Sequence, residues 1–451
     1  MPTPLYNALQ AYADQIPLRF HMPGHKGKLQ FVPEFVSMAK LDVTELEPTG
    51  NLYLSGPPFD QAQQLWAKAF GFEHAQFLTG GSTQGMYTAL SLFCAPGDQV
   101  LLDRGCHRSA YHALALLGLE PVYLPRPWLK EEALTGPFSC EEIERILDIH
   151  PKVKTICITS PTYFGLLSNI SAIAQVVHQR GGKLVVDGAH GAHLPFLEKT
   201  VFAGADAVVV SAHKTLPALG QGAVLCFNKV EVDRGRQMAA LFGTSSPSYP
   251  ILASLDLARD WMEGDGKLEY ERVIQRVTAL RRRFPGVGNQ WKLDPGRFTI
   301  RAKNGFTLAR ELEKRGIYPE MADQDHVVFI CTGCDSDADL NQLEKVLTEL
   351  EELLGPSGQI LPAPPLPSKV ISLRQALFAP TRQLPLTQCE GKIVAQTLAP
   401  YPPGVPVVAP GEVVTKKELS YFKKIGYNNT NVQIVDTTGP FTASGEGERW
   451  I

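Results

Sequence analysis

Short apolar runs alternate with stretches of helical periodicity from about residue 60 to about residue 227. The runs are Gln76-Phe-Leu, Gln99-Val-Leu-Leu, Val153-Lys-Thr-Ile-Cys-Ile, Lys183-Leu-Val-Val and Ala207-Val-Val-Val. Continuous apolar runs are typical of strands buried on both faces, so this alternation predicts a mainly parallel β-sheet covered by helices. Residues 222–227 add one more strand.

The remainder of the chain predicts smaller units. A charged helical stretch covers about residues 255–285, and a second αβ unit follows it. In that unit residues 308–315 predict a helix, residues 327–330 a strand and residues 338–354 another helix. A proline-rich connector begins at Leu361. We therefore expect an N-terminal arm (1–45), a large domain (46–290), a small α/β domain (291–360) and a C-terminal segment (361–451).

Composition narrows the class of protein. The 451 residues are 44% hydrophobic and 20% charged, with a net charge of −3, which is ordinary for a globular protein. This charge argues against nucleic-acid and anionic-membrane partners. No apolar run approaches the ~18 residues of a membrane span, and the N-terminus shows no secretory signal. The eight scattered cysteines fit thiols in a reducing cytosol, so we expect a cytoplasmic protein.

Two polar residues follow buried strands in a way that suits one cofactor. Lys214 stands in Ser211-Ala-His-Lys, just after Val208-Val-Val, and Asp187 ends the run Leu184-Val-Val. The carboxyl ends of strands in a parallel sheet share one edge, where ligands bind. A lysine there can form a Schiff base, and a carboxylate can hold a pyridinium nitrogen. The pair therefore indicates pyridoxal phosphate (PLP).

Other residues near these strand ends fit the same cofactor. The loop Thr79-Gly-Gly-Ser-Thr-Gln precedes a helix, where free N–H groups and the hydroxyls of Ser82 and Thr83 can hold a phosphate. Ser211 could donate to that phosphate, and His213 could move protons. His107 also follows a strand, and its imidazole could stack on a planar ring.

Each of these features alone has a plainer explanation. The loop could be a simple helix cap, and the histidine and lysine could lie on the surface. Their occurrence in order, each just past a predicted strand, favours PLP. His190 and His193 have metal-pair spacing, and Cys331 and Cys334 form a CxxC, but neither pair has the supporting ligands of a zinc site. We expect no metal.

Several segments resemble the Orn/Lys/Arg decarboxylase family of fold-type I PLP enzymes. The resemblance spans nearly the whole chain, and the Asp-Arg-x-Cys-His and Tyr-Pro-Pro-Gly elements are its most particular parts. The matching segments are His21-Met-Pro-Gly-His-Lys-Gly, Asp42-Val-Thr-Glu-Leu, Gly81-Ser-Thr, Asp103-Arg-Gly-Cys-His-Arg-Ser, Ser160-Pro-Thr-Tyr-Phe-Gly, Asp187-Gly-Ala-His, Ser211-Ala-His-Lys, Tyr401-Pro-Pro-Gly-Val-Pro and Pro410-Gly-Glu.

The resemblance implies a fold and a set of roles. The fold would be α/β, that of the PLP-dependent transferases of aspartate aminotransferase type (fold type I), with a smaller α/β C-terminal region. Lys214 would form the Schiff base, with His213 beside it. The residues expected to contact the cofactor are Ser82, Thr83, His107, Asp187, His190, Ser211 and Lys214. Thr244 and Ser245 resemble a segment through which a neighbouring subunit reaches the phosphate, which implies a homodimer or a higher assembly.

The chain also departs from the large inducible members of the family. It lacks their N-terminal receiver-like domain, so it resembles the short branch. Phe164 stands where they carry an acidic residue, and His190 stands where they carry tryptophan. These positions surround the active site, so the resemblance leaves the substrate open among arginine, lysine and ornithine.

The main functional hypothesis is decarboxylation of a basic amino acid to its amine and CO₂, feeding polyamine metabolism. The distal cation of that substrate needs an acidic partner, and Glu45, Glu47 and Glu412 are candidates. His25 could line the site or the dimer seam.

Two alternatives stay open at this point. An aminotransferase would need an arginine clamp on the α-carboxylate, for which Arg374 is a candidate. A PLP-binding regulatory protein would bind the cofactor without turnover.

Overall fold

The computed structural model describes residues 2–30, 32–288, 290–358, 362–400, 406–427 and 429–436. Its largest sheet has seven strands in the order β1-β9-β8-β7-β6-β2-β3. The strands of this sheet are β1 (His74–Leu78), β2 (Gln99–Asp103), β3 (Glu120–Leu124), β6 (Thr155–Thr159), β7 (Lys183–Asp187), β8 (Ala207–Val210) and β9 (Ala223–Phe227), and a separate hairpin pairs β4 (Trp128–Leu129) with β5 (Leu134–Thr135).

The five apolar runs all form strands of this sheet, which confirms the predicted alternation. Neighbouring strands from β3 to β8 pair in parallel. Strand β9, predicted from residues 222–227, lies antiparallel to both β8 and β1. The sheet is therefore mainly parallel, and the carboxyl ends of β2, β6, β7 and β8 meet at one edge.

Helices cover both faces of the sheet and build the smaller units. They are α1 (Pro4–Asp14), α2 (Val36–Leu41), α3 (Phe59–Phe70), α4 (Gly81–Phe93), α5 (Arg108–Leu117), α6 (Cys140–Ile149), α7 (Ile170–Gln179), α8 (Leu194–Leu197), α9 (Ala212–Thr215), α10 (Val232–Phe242), α11 (Tyr249–Glu263), α12 (Asp265–Arg283), α13 (Gly305–Glu313), α14 (Asp337–Glu349), α15 (Leu373–Phe378) and α16 (Lys416–Lys424). Three short 3₁₀ helices lie at Pro33–Phe35, Glu351–Leu353 and Leu386–Gln388.

The first residues of the chain form a helix that the sequence analysis did not predict. Helix α1 packs against α11, and the Asp256 carboxylate accepts hydrogen bonds from the backbone N–H groups of Leu5 and Tyr6. A carboxylate at a helix N-terminus satisfies free donors and complements the helix dipole. The motif at residues 21–27 contains neither helix nor strand, as its turn-forming residues predict.

Two smaller units follow the large sheet. The antiparallel sheet β10-β12-β11 is formed by β10 (Arg297–Arg301), β11 (Met321–Ala322) and β12 (His326–Ile330), and it shares a hydrophobic core with α12, α13 and α14. Strand β12 and the helices α13 and α14 were predicted. The last unit pairs β13 (Thr381–Pro385) with β14 (Asn431–Val435) beside α16.

The described residues lack two features that would point to other functions. Within those ranges, no helix has the length and apolar character needed to cross a membrane. The same residues contain no group of three or more His, Cys, Asp and Glu side chains that could hold a metal ion. All eight cysteines are described, and each is a free thiol.

Candidate active site

The strand ends bring the predicted lysine and carboxylate to the same edge of the sheet. Asp187 is the last residue of β7, and its register partner on the neighbouring strand β8 is Val209. Ser211 follows β8 directly, and the short helix α9 then carries His213 and Lys214. Because β7 and β8 are parallel neighbours, Asp187 and Lys214 lie close enough to interact electrostatically.

Lys214 is held in surroundings that weaken its basicity. Its Nζ lies 3.1 Å from His190 Nε2. Burial lowers the pKa of Lys214, and Arg297 lowers it further, although Asp187 and Glu320 act in the opposite direction. A lysine with a lowered pKa is more often the neutral amine, which is the nucleophilic form.

Asp187 keeps one carboxylate oxygen available. Its Oδ1 accepts a hydrogen bond of 3.1 Å from the Ala189 backbone N–H. Among the described residues Oδ2 has no hydrogen-bond partner. Burial raises the pKa of Asp187, while the charge of Lys214 and the Ala189 N–H oppose that rise. A cationic ring nitrogen beside Oδ2 would add a further favourable charge.

The loop before α4 has the open space and free donors that a phosphate needs. The backbone at Gly81 has φ = +69°, which favours glycine, and a Cβ there would meet no atom within 4 Å. Ser82 and Thr83 lie in the first turn of α4, where backbone N–H groups lack helical partners. The side-chain oxygens of Ser211 and Thr79 are both buried without a hydrogen bond. Unpartnered buried hydroxyls are costly, so these residues fit a phosphate group.

The two remaining predicted histidines lie at the same edge. His107 caps the N-terminus of α5, and its Nδ1 lies 2.9 Å from Ser109 Oγ. Its side chain reaches solvent, but its pKa is lowered to about 4, first by loss of hydration among the surrounding protein atoms and further by the charges of Lys214, Arg108 and His112. His213 Nδ1 lies 3.0 Å from the carbonyl oxygen of Gly222 and donates to it, which leaves Nε2 as a proton acceptor.

His190 connects this edge to residues that the sequence analysis did not identify. Its Nδ1 lies 3.2 Å from Arg297 Nη2, on strand β10 of the smaller sheet. Its ring lies 4.8 Å from the ring of Tyr163, and the Tyr163 hydroxyl donates to Glu320 Oε1 at 2.5 Å. Arg297 and Glu320 were not expected because both belong to the smaller unit, far from Lys214 along the chain.

His193 packs among structural residues, and its hydrogen-bond partner differs from those of His190. Its Nε2 lies 2.8 Å from Asp294 Oδ1, and its ring stacks on Tyr270 at 5.2 Å. The pKa of Asp294 is lowered, since His193, Arg297 and the Gly296 N–H outweigh the effect of burial.

Three of the proposed substrate residues have other partners, and a fourth is exposed. His25 Nε2 lies 3.0 Å from Asp42 Oδ2, within the N-terminal region. Glu45 accepts a hydrogen bond from Thr44 and lines a pocket with Ser246 and Tyr249, and Glu47 is exposed. Arg374 donates to the carbonyls of Ala115 and Leu116 at the end of α5. None of these contacts includes Lys214.

Glu412 requires a correction, because both of its oxygens are already bound. Arg104 Nη1 and Nη2 donate to them at 2.8 and 2.7 Å, and the Ala409 N–H adds a third bond of 2.7 Å. Both side chains are almost fully buried. Glu412 therefore joins the C-terminal unit to the end of β2 and is not free to bind a substrate cation.

Thr244 and Ser245 are exposed in the single subunit, where Thr244 Oγ1 contacts Ser246 Oγ at 3.2 Å. Their expected role toward a second subunit stays a prediction. The Tyr-Pro-Pro-Gly element at residues 401–404 lies outside the described residues.

Comparisons with known proteins identify the family of this chain. Residues 3–304 match the family described as Orn/Lys/Arg decarboxylase, major domain, and residues 371–431 match its C-terminal domain. An arginine decarboxylase of Bacillus subtilis is 30% identical, with 94% of this chain and 93% of the relative covered. The constitutive lysine decarboxylase of Escherichia coli is 24% identical, with 92% of this chain and 76% of the relative covered.

Two solved structures establish the fold. The lysine decarboxylase LdcF of Francisella novicida superposes with a TM-score of 0.83 at 20% identity, over 96% of this chain and 81% of that one. The E. coli constitutive lysine decarboxylase gives a TM-score of 0.82 at 21% identity, over the same shares of the two chains. The predicted α/β fold of type I is confirmed.

Proposed function

Because the chain belongs to the Orn/Lys/Arg decarboxylase family, we propose that it converts a basic amino acid to the corresponding amine and CO₂, feeding polyamine metabolism. It is a PLP-dependent amino acid decarboxylase. The observation that carries the proposal is the placement of Lys214 beside Asp187 at one sheet edge. Both residues lie within residues 3–304, which match the major domain of the family. Among the three substrates we favour arginine, since the relative at 30% identity is named an arginine decarboxylase.

The residues at the sheet edge would divide the binding of PLP among them. Lys214 would attach the cofactor, Asp187 would hold its ring nitrogen and His107 would cover its ring. Ser82, Thr83 and Ser211 would hold its phosphate, with Thr244 and Ser245 of a second subunit. When bound, PLP accepts the electrons of the bond that breaks between Cα and the carboxylate.

The chain's own groups supply the proton transfers. Cα must be protonated after CO₂ leaves, and we assign this step to Lys214 Nζ or His213 Nε2. His213 suits this role because its Nδ1 is fixed by the Gly222 carbonyl, which leaves Nε2 to exchange a proton.

We propose Glu320 as the acceptor of the substrate's distal cation. Its carboxylate is anchored by the Tyr163 hydroxyl, and Tyr163 packs beside the histidine that contacts Lys214. With Asp187, it is one of two carboxylates that act electrostatically on Lys214. Glu45, which lies in a pocket beside Ser246, would serve only from a neighbouring subunit.

The distal-cation assignment is tested by the variant Glu320→Gln. Loss of a charge-assisted hydrogen bond of about 1.5–3 kcal/mol should raise KM for arginine and lysine about 10- to 150-fold. Glu313→Gln, at an exposed carboxylate on helix α13, is the matched control and should leave KM unchanged. An unchanged KM in the Glu320 variant would remove it from the substrate site.

The reaction itself is tested with purified protein and PLP. Arginine, lysine and ornithine are supplied in turn, and the amine product, CO₂ and any keto acid are measured. Amine and CO₂ in equal amounts support the proposal, whereas a keto acid without CO₂ indicates the aminotransferase alternative. Lys214→Ala should abolish turnover, and full activity in that variant would refute the role of Lys214.

We also propose a cytoplasmic homodimer. The free thiols fit a reducing compartment. Ile16, Leu18 and Phe20 are 87%, 84% and 93% exposed in the single subunit. Such a run of exposed apolar side chains is typical of a surface that another chain covers.

A further inference from the structure

The His190 ring bridges Lys214 and a buried arginine. Its Nε2 lies 3.1 Å from Lys214 Nζ, and its Nδ1 lies 3.2 Å from Arg297 Nη2. His190 and Arg297 are 6% and 2% exposed, so water has little access to either contact. The two short distances therefore define a row of three nitrogen-bearing side chains with one hydrogen bond at each step.

The chemistry of arginine fixes the direction of both hydrogen bonds. A guanidinium stays protonated and can only donate. His190 Nδ1 must therefore accept from Arg297, so the ring hydrogen of neutral His190 is on Nε2. That hydrogen points to Lys214 Nζ, which must accept it with a lone pair. A protonated lysine has no lone pair, so the arrangement selects the neutral amine.

The alternative protonation states are disfavoured by the same neighbours. A His190 cation would turn an N–H toward the N–H of Arg297. Burial sets the pKa of His190 well below its usual value, and Lys214, Arg297, His107 and His213 lower it further. Asp187 and Glu320 face Lys214 and favour its cation. Burial and the charge of Arg297 oppose these two carboxylates and lower the pKa of Lys214, and the hydrogen bond from His190 acts in the same direction.

The backbone of Arg297 is held in place by hydrogen bonds, and its side chain is confined by close packing. Its backbone N–H donates to the Asp294 carbonyl at 3.1 Å, and Arg281 donates to the carbonyls of both residues. Its side chain passes directly over Gly165, where φ is +93° and a Cβ would lie 2.6 Å from Arg297 Cγ. Any side chain at position 165 would displace the guanidinium, so the close approach depends on this glycine.

We propose that Arg297 is a positioning residue that, by fixing the hydrogen on His190 Nε2, holds Lys214 as a neutral amine. The inference concerns the lysine on which the proposed function rests. It depends on the imidazole of His190, where the large members of the family carry tryptophan.

The test is competitive labelling of the full chain after PLP has been removed. Trace acetic anhydride reacts with neutral amines, and the labelled Lys214 peptide is quantified by mass spectrometry across a pH series. The midpoint of labelling reports the protonation of Lys214 whether or not the protein turns over any amino acid. Failure of the proposed function and failure of this inference are therefore distinguishable.

Two substitutions at His190 form a matched pair. His190→Phe keeps a ring but removes both hydrogen bonds, so the labelling midpoint should rise by about one pH unit, the equivalent of one hydrogen bond. His190→Gln can accept from Arg297 and donate to Lys214, so its midpoint should stay near that of the wild type. An unmoved midpoint in His190→Phe, or equal shifts in both variants, would overturn the proposal.

Arg297→Met tests the origin of the effect. Removing the cation releases the His190 hydrogen to move to Nδ1, and the Lys214 midpoint should rise by about one unit or more. Arg310→Met, at an arginine on helix α13 that donates to Thr307, is the control and should leave the midpoint unchanged. A folded Arg297→Met protein with the wild-type midpoint would refute the role of Arg297. If that variant does not fold, the pair at His190 decides the matter.

Discussion

The contact between Arg104 and Glu412 gives a sharp prediction about stability. In Glu412→Leu the Arg104 cation would lose two hydrogen bonds and keep only the 2.9 Å bond to the Val407 carbonyl and the face of Tyr123. Its side chain is 6% exposed, so water cannot replace the carboxylate. Removing one partner of such a pair costs about 3–5 kcal/mol. The free energy of unfolding should therefore fall by about that amount.

The assay is equilibrium urea unfolding followed by circular dichroism, with limited proteolysis to locate the first part of the chain to open. The double variant Arg104→Met with Glu412→Leu leaves no buried charge, so it should recover most of the loss. Glu390→Gln is the matched control, since Glu390 is exposed and its contact with Lys416 is 3.9 Å long, and it should change stability by less than about 0.5 kcal/mol.

One result would refute this interpretation. A Glu412→Leu protein that unfolds like the wild type, but whose KM for arginine or lysine is raised about tenfold (about 1.4 kcal/mol), would return Glu412 to the substrate site. A loss of stability with an unchanged KM would support the purely structural role.

Three further predictions follow from other parts of the molecule. Ser211→Ala should weaken PLP binding about tenfold, the worth of one hydrogen bond, in a fluorescence titration, whereas Ser91→Ala, whose hydroxyl already donates to Thr88, should not. Burial raises the pKa of Asp206, but the Leu184 N–H and the His178 and Lys183 side chains lower it more, so the ionised form stabilises the fold. The stability lost in Asp206→Asn, about 2 kcal/mol at neutral pH, should begin to shrink as the pH of urea unfolding falls below about 3.9 and should vanish only below the lowered pKa of the folded protein; a constant difference would contradict this. Phe20→Asp should shift the chain from dimer to monomer in light scattering, while Ile149→Asp, at an apolar residue 60% exposed on α6, should not; dimers in both would place the interface elsewhere.

The large sheet and the Lys214–Asp187 pair were predictable because their information is local. Each residue follows an apolar run directly, and parallel strands bring such positions to a common edge. The same argument placed Ser211 and the loop before α4. The sequence analysis did not give β9 its antiparallel direction, because the connection from α9 carries no pattern that fixes it.

The residues that the sequence analysis missed have one property in common, which is a long separation along the chain from the residues that they contact. Arg297 lies 107 residues from His190, and Glu320 lies 157 residues from Tyr163. Both stand on the smaller unit as single charges without a local motif, so only the docking of that unit brings them to Lys214. Glu412 was assigned to the substrate because its partner Arg104, 308 residues away, could not be identified from spacing.

Lys214 lies on helix α9, just after strand β8 of the large sheet, whereas Arg297 lies on strand β10 of the smaller sheet. The 3.2 Å contact at His190 Nδ1 spans the boundary between the two sheets. A rotation of the smaller sheet that lengthened this contact would free the imidazole to exchange its tautomers. The lysine could then take up a proton. By this inference, the charge of the nucleophile would depend on how closely the smaller unit is seated against the large sheet.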